Sequence, residues 1–325
     1  MTRSSRIQVS RIAVYWAVLT FALALFWSVA LNMLQLSGMG PAVSLAIPAV
    51  LGGVLAGYFY FFRVHQTLEY DDNGYSMTKG RKEEQKHAWS EFKESSIIRD
   101  NYGRSKVRVY IERGGEHFDI DSKSCGIDPF ALRDYILERI NTKDARTSAP
   151  DVFVGLEREI QRGRAYWIAD LNETFRFYQV AGDIFPLMAR GSTRPKGFLL
   201  SRFLAVTLMP NYEVALYADE VGDSEGAKAR VTRLIRLIES LRDEKNIKWS
   251  WLLLFSDEEP PSSITRFIED FANKDIGLGC IDISTGRIVT SKNQLGVSLA
   301  KQMRLNQLIR DVNKRRARRE PIRVS

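Results

Sequence analysis

Carboxylates at the ends of three β-type runs are the side chains of this chain best placed to do chemistry. Asp219 and Glu220 follow the run Tyr212 to Tyr217, Asp257, Glu258 and Glu259 follow Trp249 to Phe255, and Asp282 stands at the end of Gly277 to Ile283. Ligands of open parallel sheets bind beyond the carboxyl ends of the strands. Oxygen donors on three neighbouring ends would suit a hard divalent cation such as Mg²⁺. The plainer reading needs no cofactor. Acids also cap helices and solubilise loops, and Asp257 ahead of Pro260-Pro261 fits that role.

Nucleophilic chemistry has weaker support. Gly222-Asp-Ser-Glu-Gly226 matches the G-x-S-x-G elbow between a strand and a helix. A hydrolase of that kind places its base histidine later in the chain, whereas His65, His87 and His117 all precede Ser224. The segment is therefore read as a helix cap, with Lys228 left as an unusual candidate base. Cys125 and Cys280 are far apart and show no C-x-x-C spacing, so neither zinc nor redox chemistry is indicated. No G-x-x-x-x-G-K phosphate loop occurs. His117, Asp119 and Asp121 share one face of a strand and read as a solvent-facing edge.

These residues need elements to position them. From residue 152 onward strands and helices alternate. The helix expected over about 226–245 presents Ala227, Val231, Leu234, Ile235, Ile238 and Leu241 on one face, and another is expected over about 262–273. Such alternation implies right-handed crossovers and a largely parallel sheet, an α/β domain over 152–325. The order of elements resembles the restriction-endonuclease-like fold. That resemblance implies an acid, here Asp183, joined to a Glu-x-Lys on the next strand, here Glu213-Val214-Ala215. Alanine stands where lysine belongs, which argues against metal-dependent cleavage. A helix over about 294–316 ends in Lys314, Arg315, Arg316, Arg318 and Arg319. Cations suit a helix C-terminus. The same cluster could also contact anionic lipid or nucleic-acid phosphates.

Residues 142–151 read as a linker, and 66–141 as a smaller module of short strands. Its turns are marked by Asn73-Gly74, Lys79-Gly80, Asn101-Tyr102-Gly103 and Arg113-Gly114-Gly115. One helix follows, with Asp128 as N-cap, Pro129 at its first position and Leu132, Tyr135, Ile136 and Ile140 as its apolar stripe. Leu68 to Tyr75, Trp89-Ser-Glu-Phe92 entering Ser95 to Ile98, a Gly-Gly hairpin and Asp128 to Ile136 together resemble the prokaryotic pleckstrin-homology-like domain of membrane-hairpin proteins. The resemblance implies a curved antiparallel sheet capped by a helix, Trp89 in the core, and binding or assembly more often than catalysis. It also implies a headgroup site, for which Lys79, Arg81 and Lys82 are the nearest residues here. Glu83 and Glu84 follow directly and favour a solvated turn.

Between Arg11 and Arg63 no Asp, Glu, Lys, Arg or His occurs. A run of that length would fit two membrane spans, expected over about 12–36 and 42–62 with a reversal at Ser37 to Pro41. Arg3, Arg6, Arg11 and Arg63 would keep both ends cytoplasmic. Ala49, Gly53 and Gly57 recur every fourth residue, for packing against the first helix or for a homodimer. The chain's net charge of +8 is concentrated at its two ends. Residues 1–65 carry four arginines and no acid, and 301–325 carry nine basic residues against two acids, so a uniformly basic nucleic-acid surface is excluded.

The expectation is an α+β multidomain membrane protein, multi-pass in the cell membrane. It comprises a transmembrane hairpin over 1–65, a pleckstrin-homology-like domain over 66–141, and the α/β domain. Its expected role is that of a scaffold, sensor or binding protein without catalytic activity. The partners expected are the lipid bilayer and a cytosolic protein. A membrane-tethered, metal-dependent nuclease-like or nucleic-acid-binding protein is the alternative.

Overall fold

The computed structural model describes residues 2–4, 9–33, 41–60, 66–79, 82–140, 151–162, 169–193, 212–222, 226–302 and 305–319. In chain order the first elements are β1 (Thr2–Ser4), α1 (Val9–Met33), α2 (Pro41–Phe59), β2 (Gln66–Tyr70), β3 (Gly74–Lys79), β4 (Lys82–Ala88), β5 (Glu94–Arg99), β6 (Ser105–Tyr110), β7 (His117–Ile120) and α3 (Pro129–Ile140). There follow α4 (Asp151–Arg162), β8 (Asp170–Val180), β9 (Asp183–Ser192), β10 (Glu213–Glu220), α5 (Ala227–Lys245), β11 (Ile247–Ser256), α6 (Ser262–Glu269), β12 (Ile276–Asp282), β13 (Ile288–Thr290), α7 (Gln294–Gln302) and α8 (Leu305–Arg319). The chain divides into two compact units, Met1–Glu94 with Val109–Thr142, and Ser95–Arg108 with Lys143–Ser325.

In the first unit β1, β2, β3 and β4 form an antiparallel sheet in that order. Strand alternation sends Leu68, Tyr75 and Met77 into the interior, where they meet Trp89, Phe92 and Ile120. The helix α3 starts as its sequence dictates. The Asp128 carboxylate accepts the Phe130 N–H, Pro129 opens the first turn, and Leu132 and Ile136 are buried. Beside it, Asp72 accepts the Tyr135 hydroxyl and the Arg139 guanidinium, which lies over the Tyr135 ring.

The N-terminal run corrects the membrane reading. Among the described residues no helix is long and apolar enough to cross a membrane, so the transmembrane hairpin, the multi-pass placement and the cell-membrane localisation are withdrawn. Absence of charge over a long run does not by itself make two spans. The run also holds Thr20, Ser28, Asn32 and Ser44, and α2 is only 19 residues long with Pro48 inside it. At 1.5 Å per residue α2 reaches about 28 Å, short of the ~30 Å hydrocarbon thickness. What the residues build is a close helix pair. The Trp16 indole donates to the Ala49 carbonyl at 2.9 Å and lies against Gly53, and Gly52 faces Thr20 so closely that a Cβ there would stand 2.4 Å from Oγ1.

In the second unit the sheet runs β13-β12-β11-β10-β9-β8-β5-β6. Among the described pairings β10, β11 and β12 are the parallel ones, joined by crossovers through α5 and α6. The expected largely parallel sheet is thus corrected to a mixed one. The reason is the long β8–β9 hairpin, whose tip Ala181-Gly182 has φ of 48° and 85°, the left-handed pair that a two-residue antiparallel turn demands. A β strand segment from 95–99 then adds alongside β8, pairing Ser96 with Phe175 and Ile97 with Thr174. The apolar stripe of α5 is buried as its spacing requires, and Asn246 ends the helix in the left-handed conformation. The core on the opposite side gathers Phe153, Leu156, Trp251, Leu253, Phe255, Leu299 and Leu308. There β12 is glycine-rich because α7 lies almost on its backbone, a Cβ at Gly277 standing 2.8 Å from the Gly296 nitrogen.

This core has a charged seam. The Glu157 carboxylate, fully buried on α4, accepts the Arg176 Nε at 2.8 Å and the Thr174 hydroxyl at 3.0 Å. Gln161, one turn on, donates to Thr174 and to the Ile97 carbonyl. Arg99 pairs with Asp170 and reaches the Ile160 and Leu171 carbonyls, while Glu173 receives Ser96 and Arg190. Burying two ion pairs and the Glu173 carboxylate, whose partner Arg190 reaches solvent, is tolerable only because hydrogen bonds satisfy so many of their remaining atoms.

Candidate functional site

The acids singled out by sequence sit in the second unit, and their geometry binds each to its own surroundings. The Asp219 Oδ2 accepts Arg230 Nη2 at 2.8 Å and Nε at 3.2 Å, and its Oδ1 accepts the Glu220 N–H. Burial pushes the Asp219 carboxyl up, and Arg230 offsets only part of that. Asp183 pairs with Arg233, one turn beyond Arg230 on α5. Glu259, after β11, pairs with Arg287. Asp282 holds the turn that follows it, accepting the N–H groups of Ser284 and Thr285 and both their hydroxyls. Among the described residues no three of His, Cys, Asp and Glu group as metal ligands. Asp219, Glu220, Asp257, Glu258 and Asp282 are therefore not brought together as one cation site.

The nuclease-like pair does not meet either. The β9–β10 register sets Glu213 opposite Ser192, at the far end of β9 from Asp183. Nine residues along a strand separate them by about 30 Å. Ser224 lies outside the described residues. So do the side chains of Lys314, Arg315, Arg316, Arg318 and Arg319, at the end of α8, and those of Arg81 and Lys82. Cys125 and Cys280 are buried free thiols. Burial pushes both up, Cys280 to about 12 with help from Asp282, so neither is a thiolate at neutral pH.

Asp282 gives a pH signature. Burial acts to raise its carboxyl, but the hydrogen bonds from Ser284 and Thr285 outweigh that and hold it below the usual 3.8. A depressed carboxyl stabilises the fold above its unfolded value, and that contribution is lost as the pH falls through the folded value. Asp282→Asn is accordingly expected to lower the melting temperature at pH 7 and to make the fall in stability below pH 4 shallower. Thermal melts across pH 2 to 7 check this, and parallel wild-type and variant curves would refute it.

Sequence reasoning passed over the groove of the first unit. It is a cavity of about 630 Å³ at one end of the β2-β3-β4 sheet, lined by Glu69, Tyr70, Asp71, Tyr75, Lys86, His87 and Glu91 among others. Its rim is built by the β2–β3 turn. Asp71 Oδ1 accepts the Asn73 and Gly74 N–H groups at 2.8 and 3.0 Å, and its carbonyl accepts the Trp89 indole at 2.7 Å. Gly74 is obligatory, since a Cβ there would lie 2.2 Å from the His87 carbonyl oxygen. Glu91 receives the Ala88 N–H at 3.0 Å and meets His87 Nδ1 at 2.9 Å. Behind the rim Tyr75 stacks on Trp89 at 5.3 Å between ring centroids, and His87 packs on Phe118 at 4.2 Å.

The electrostatics of this groove follow from those bonds. The Asn73 and Gly74 amides hold Asp71 below the usual carboxylate range, and the Ala88 amide followed by His87 does the same for Glu91. Both are anionic at neutral pH. Burial pushes the Tyr75 phenol up, so it remains protonated and donates to Gln85. With Glu69 added, three carboxylates, one lysine and the Tyr70, Tyr75 and His87 rings line the cavity. The only sequence signal for it was the Asn73-Gly74 turn; the acids come from a strand, a turn and a short 3-10 helix over Trp89–Glu91. The mixed α+β architecture and this open, negatively charged groove define a two-unit protein with a recognisable concave site. No family model, curated protein or solved structure matches the chain.

Proposed function

We propose that this protein is a binding protein without catalytic activity, and that its site is the groove of the first unit, which takes a cationic segment of a protein partner. The observation that carries this is the convergence of Glu69, Asp71 and Glu91 on the wall of one open cavity, with Glu69 exposed, and the volume of that cavity lies within the ligand-site range. Aromatic rings beside carboxylates suit an arginine or lysine side chain, which offers both charge and an apolar stem. The resemblance of residues 67–141 to pleckstrin-homology-like modules points the same way.

Calorimetric titration of the full-length protein with a short arginine- and lysine-rich peptide tests the proposal. Binding should weaken as salt is raised, and Glu69→Lys should weaken it roughly tenfold. An acidic peptide bound equally well, or an unchanged affinity in Glu69→Lys, would refute the reading.

A further inference from the structure

Of the sixteen large apolar side chains that are exposed among the described residues, twelve lie on α1 and α2. They are not scattered. On α1 the residues Val14, Val18, Phe21, Leu25 and Val29, exposed by 61, 62, 68, 54 and 54%, follow one another at spacings of four, three, four and four. Their mean spacing of about 3.75 stays close to the 3.6-residue helical turn, so the five form one stripe along α1 of the kind that packs against another helix. On α2, Val50 and Val54 are exposed by 66 and 65% at a spacing of one turn. The face of α1 that meets α2 is a different one, since there Trp16 reaches Ala49 and Thr20 meets Gly52. So the helix pair satisfies itself and still leaves a second apolar row uncovered.

We infer that this row is the contact surface for a second copy of the same chain, two α1–α2 pairs closing as a four-helix bundle. Three observations favour a copy of itself over an unlike protein. The described stretches 13–29 and 46–58 contain no Asp, Glu, Lys, Arg or His, so there is no charge for an unlike partner to complement. A helix row of the same period is what the row fits, and a twofold axis supplies it without any further component. The area is of the right order. Taking about 150 to 200 Å² for each large side chain, the exposed fractions of Val14, Val18, Phe21, Leu25, Val29, Val50 and Val54 amount to roughly 650 to 860 Å² per chain, close to the ~800 Å² per partner of a standard stable interface. Exposed apolar patches larger than a few hundred Å² mark interaction sites. Gly57, with open space beside its Cβ position, lets another backbone approach, whereas Gly53 is occupied by Trp16.

Disulfide trapping in the full-length chain tests this without dismantling the fold. Both native cysteines are buried, so a single Val18→Cys provides the one accessible thiol among the described residues, and Tyr102→Cys, 85% exposed on the second unit, provides the control. Under mild oxidation Val18→Cys should yield a covalent dimer and Tyr102→Cys should not. Light scattering of the wild-type protein should give twice the chain mass, and Phe21→Glu should reduce it to one. A wild-type chain that stays single, its apolar row covered by detergent alone, would overturn the inference. So would equal cross-linking at positions 18 and 102, or an assembly larger than two.

Discussion

Gly191→Ala is expected to destabilise the second unit by about 3 kcal/mol or more. A Cβ at position 191 would stand 1.8 Å from the Asp170 carbonyl oxygen and 2.7 Å from the Leu171 Cα. Both obstacles are backbone, so no rotamer change relieves the clash. The site also sits where β8 and β9 shift register between Leu171 and Glu173, and Asp170 is the residue that pairs with Arg99. Separating the strands to admit a methyl group therefore also loosens a buried ion pair. Urea unfolding checks the size of the effect. Gly222→Ala, whose Cβ meets nothing within 4 Å, should change stability by less than about 0.5 kcal/mol. Similar midpoints for the two variants would mean that the β8–β9 pairing is not the one described.

Removing one member of the charged seam should cost as much. Glu157→Ala leaves the Arg176 guanidinium buried without its carboxylate and takes the acceptor from the Thr174 hydroxyl. Breaking a buried pair in this way costs about 3 to 5 kcal/mol. The pair itself is worth far less than that, because its charges were desolvated to form it. Glu157→Leu combined with Arg176→Met should thus recover most of the loss, provided the apolar side chains fill the space. A double-mutant cycle by urea denaturation reads this coupling. If Glu157→Ala alone costs under 1 kcal/mol, Glu157 is not buried against Arg176.

The two halves of the sequence differ in how much of this they disclose. The α5 stripe from Ala227 to Leu241 repeats with the helical period, and Asp128-Pro129 marks the start of α3, so those elements can be read from local chemistry alone. The Asp71 to Gly74 turn is local too. The seam is not, because Ser96 and Arg99 find Glu173 and Asp170 more than seventy residues away, and nothing near them in sequence points there. For the same reason the strand at 95–99, which reads as part of the smaller module, groups with the second unit. The groove was hidden because strand alternation scatters Glu69 and Lys86 among residues that face elsewhere, and Glu91 reaches it from the short 3-10 helix after β4. The acidic strand ends misled in the opposite sense. Asp219 and Asp282 do stand at the ends of parallel strands, but Arg230, Ser284 and Thr285 supply their partners from the very next element. The uncharged N-terminal run misled because length without charge was taken for a span, whereas it folds into two helices that hydrogen-bond and pack through Trp16, Ala49 and Gly52.

Amide chemical-shift mapping of the labelled full-length protein with a basic peptide is the most direct measurement of where it binds. Shifts should fall within residues 69–76 and 86–91 and grow with peptide concentration. Shifts confined to Glu220, Asp257 and Asp282, with the first unit unmoved, would place the working site at the strand ends and contradict the account.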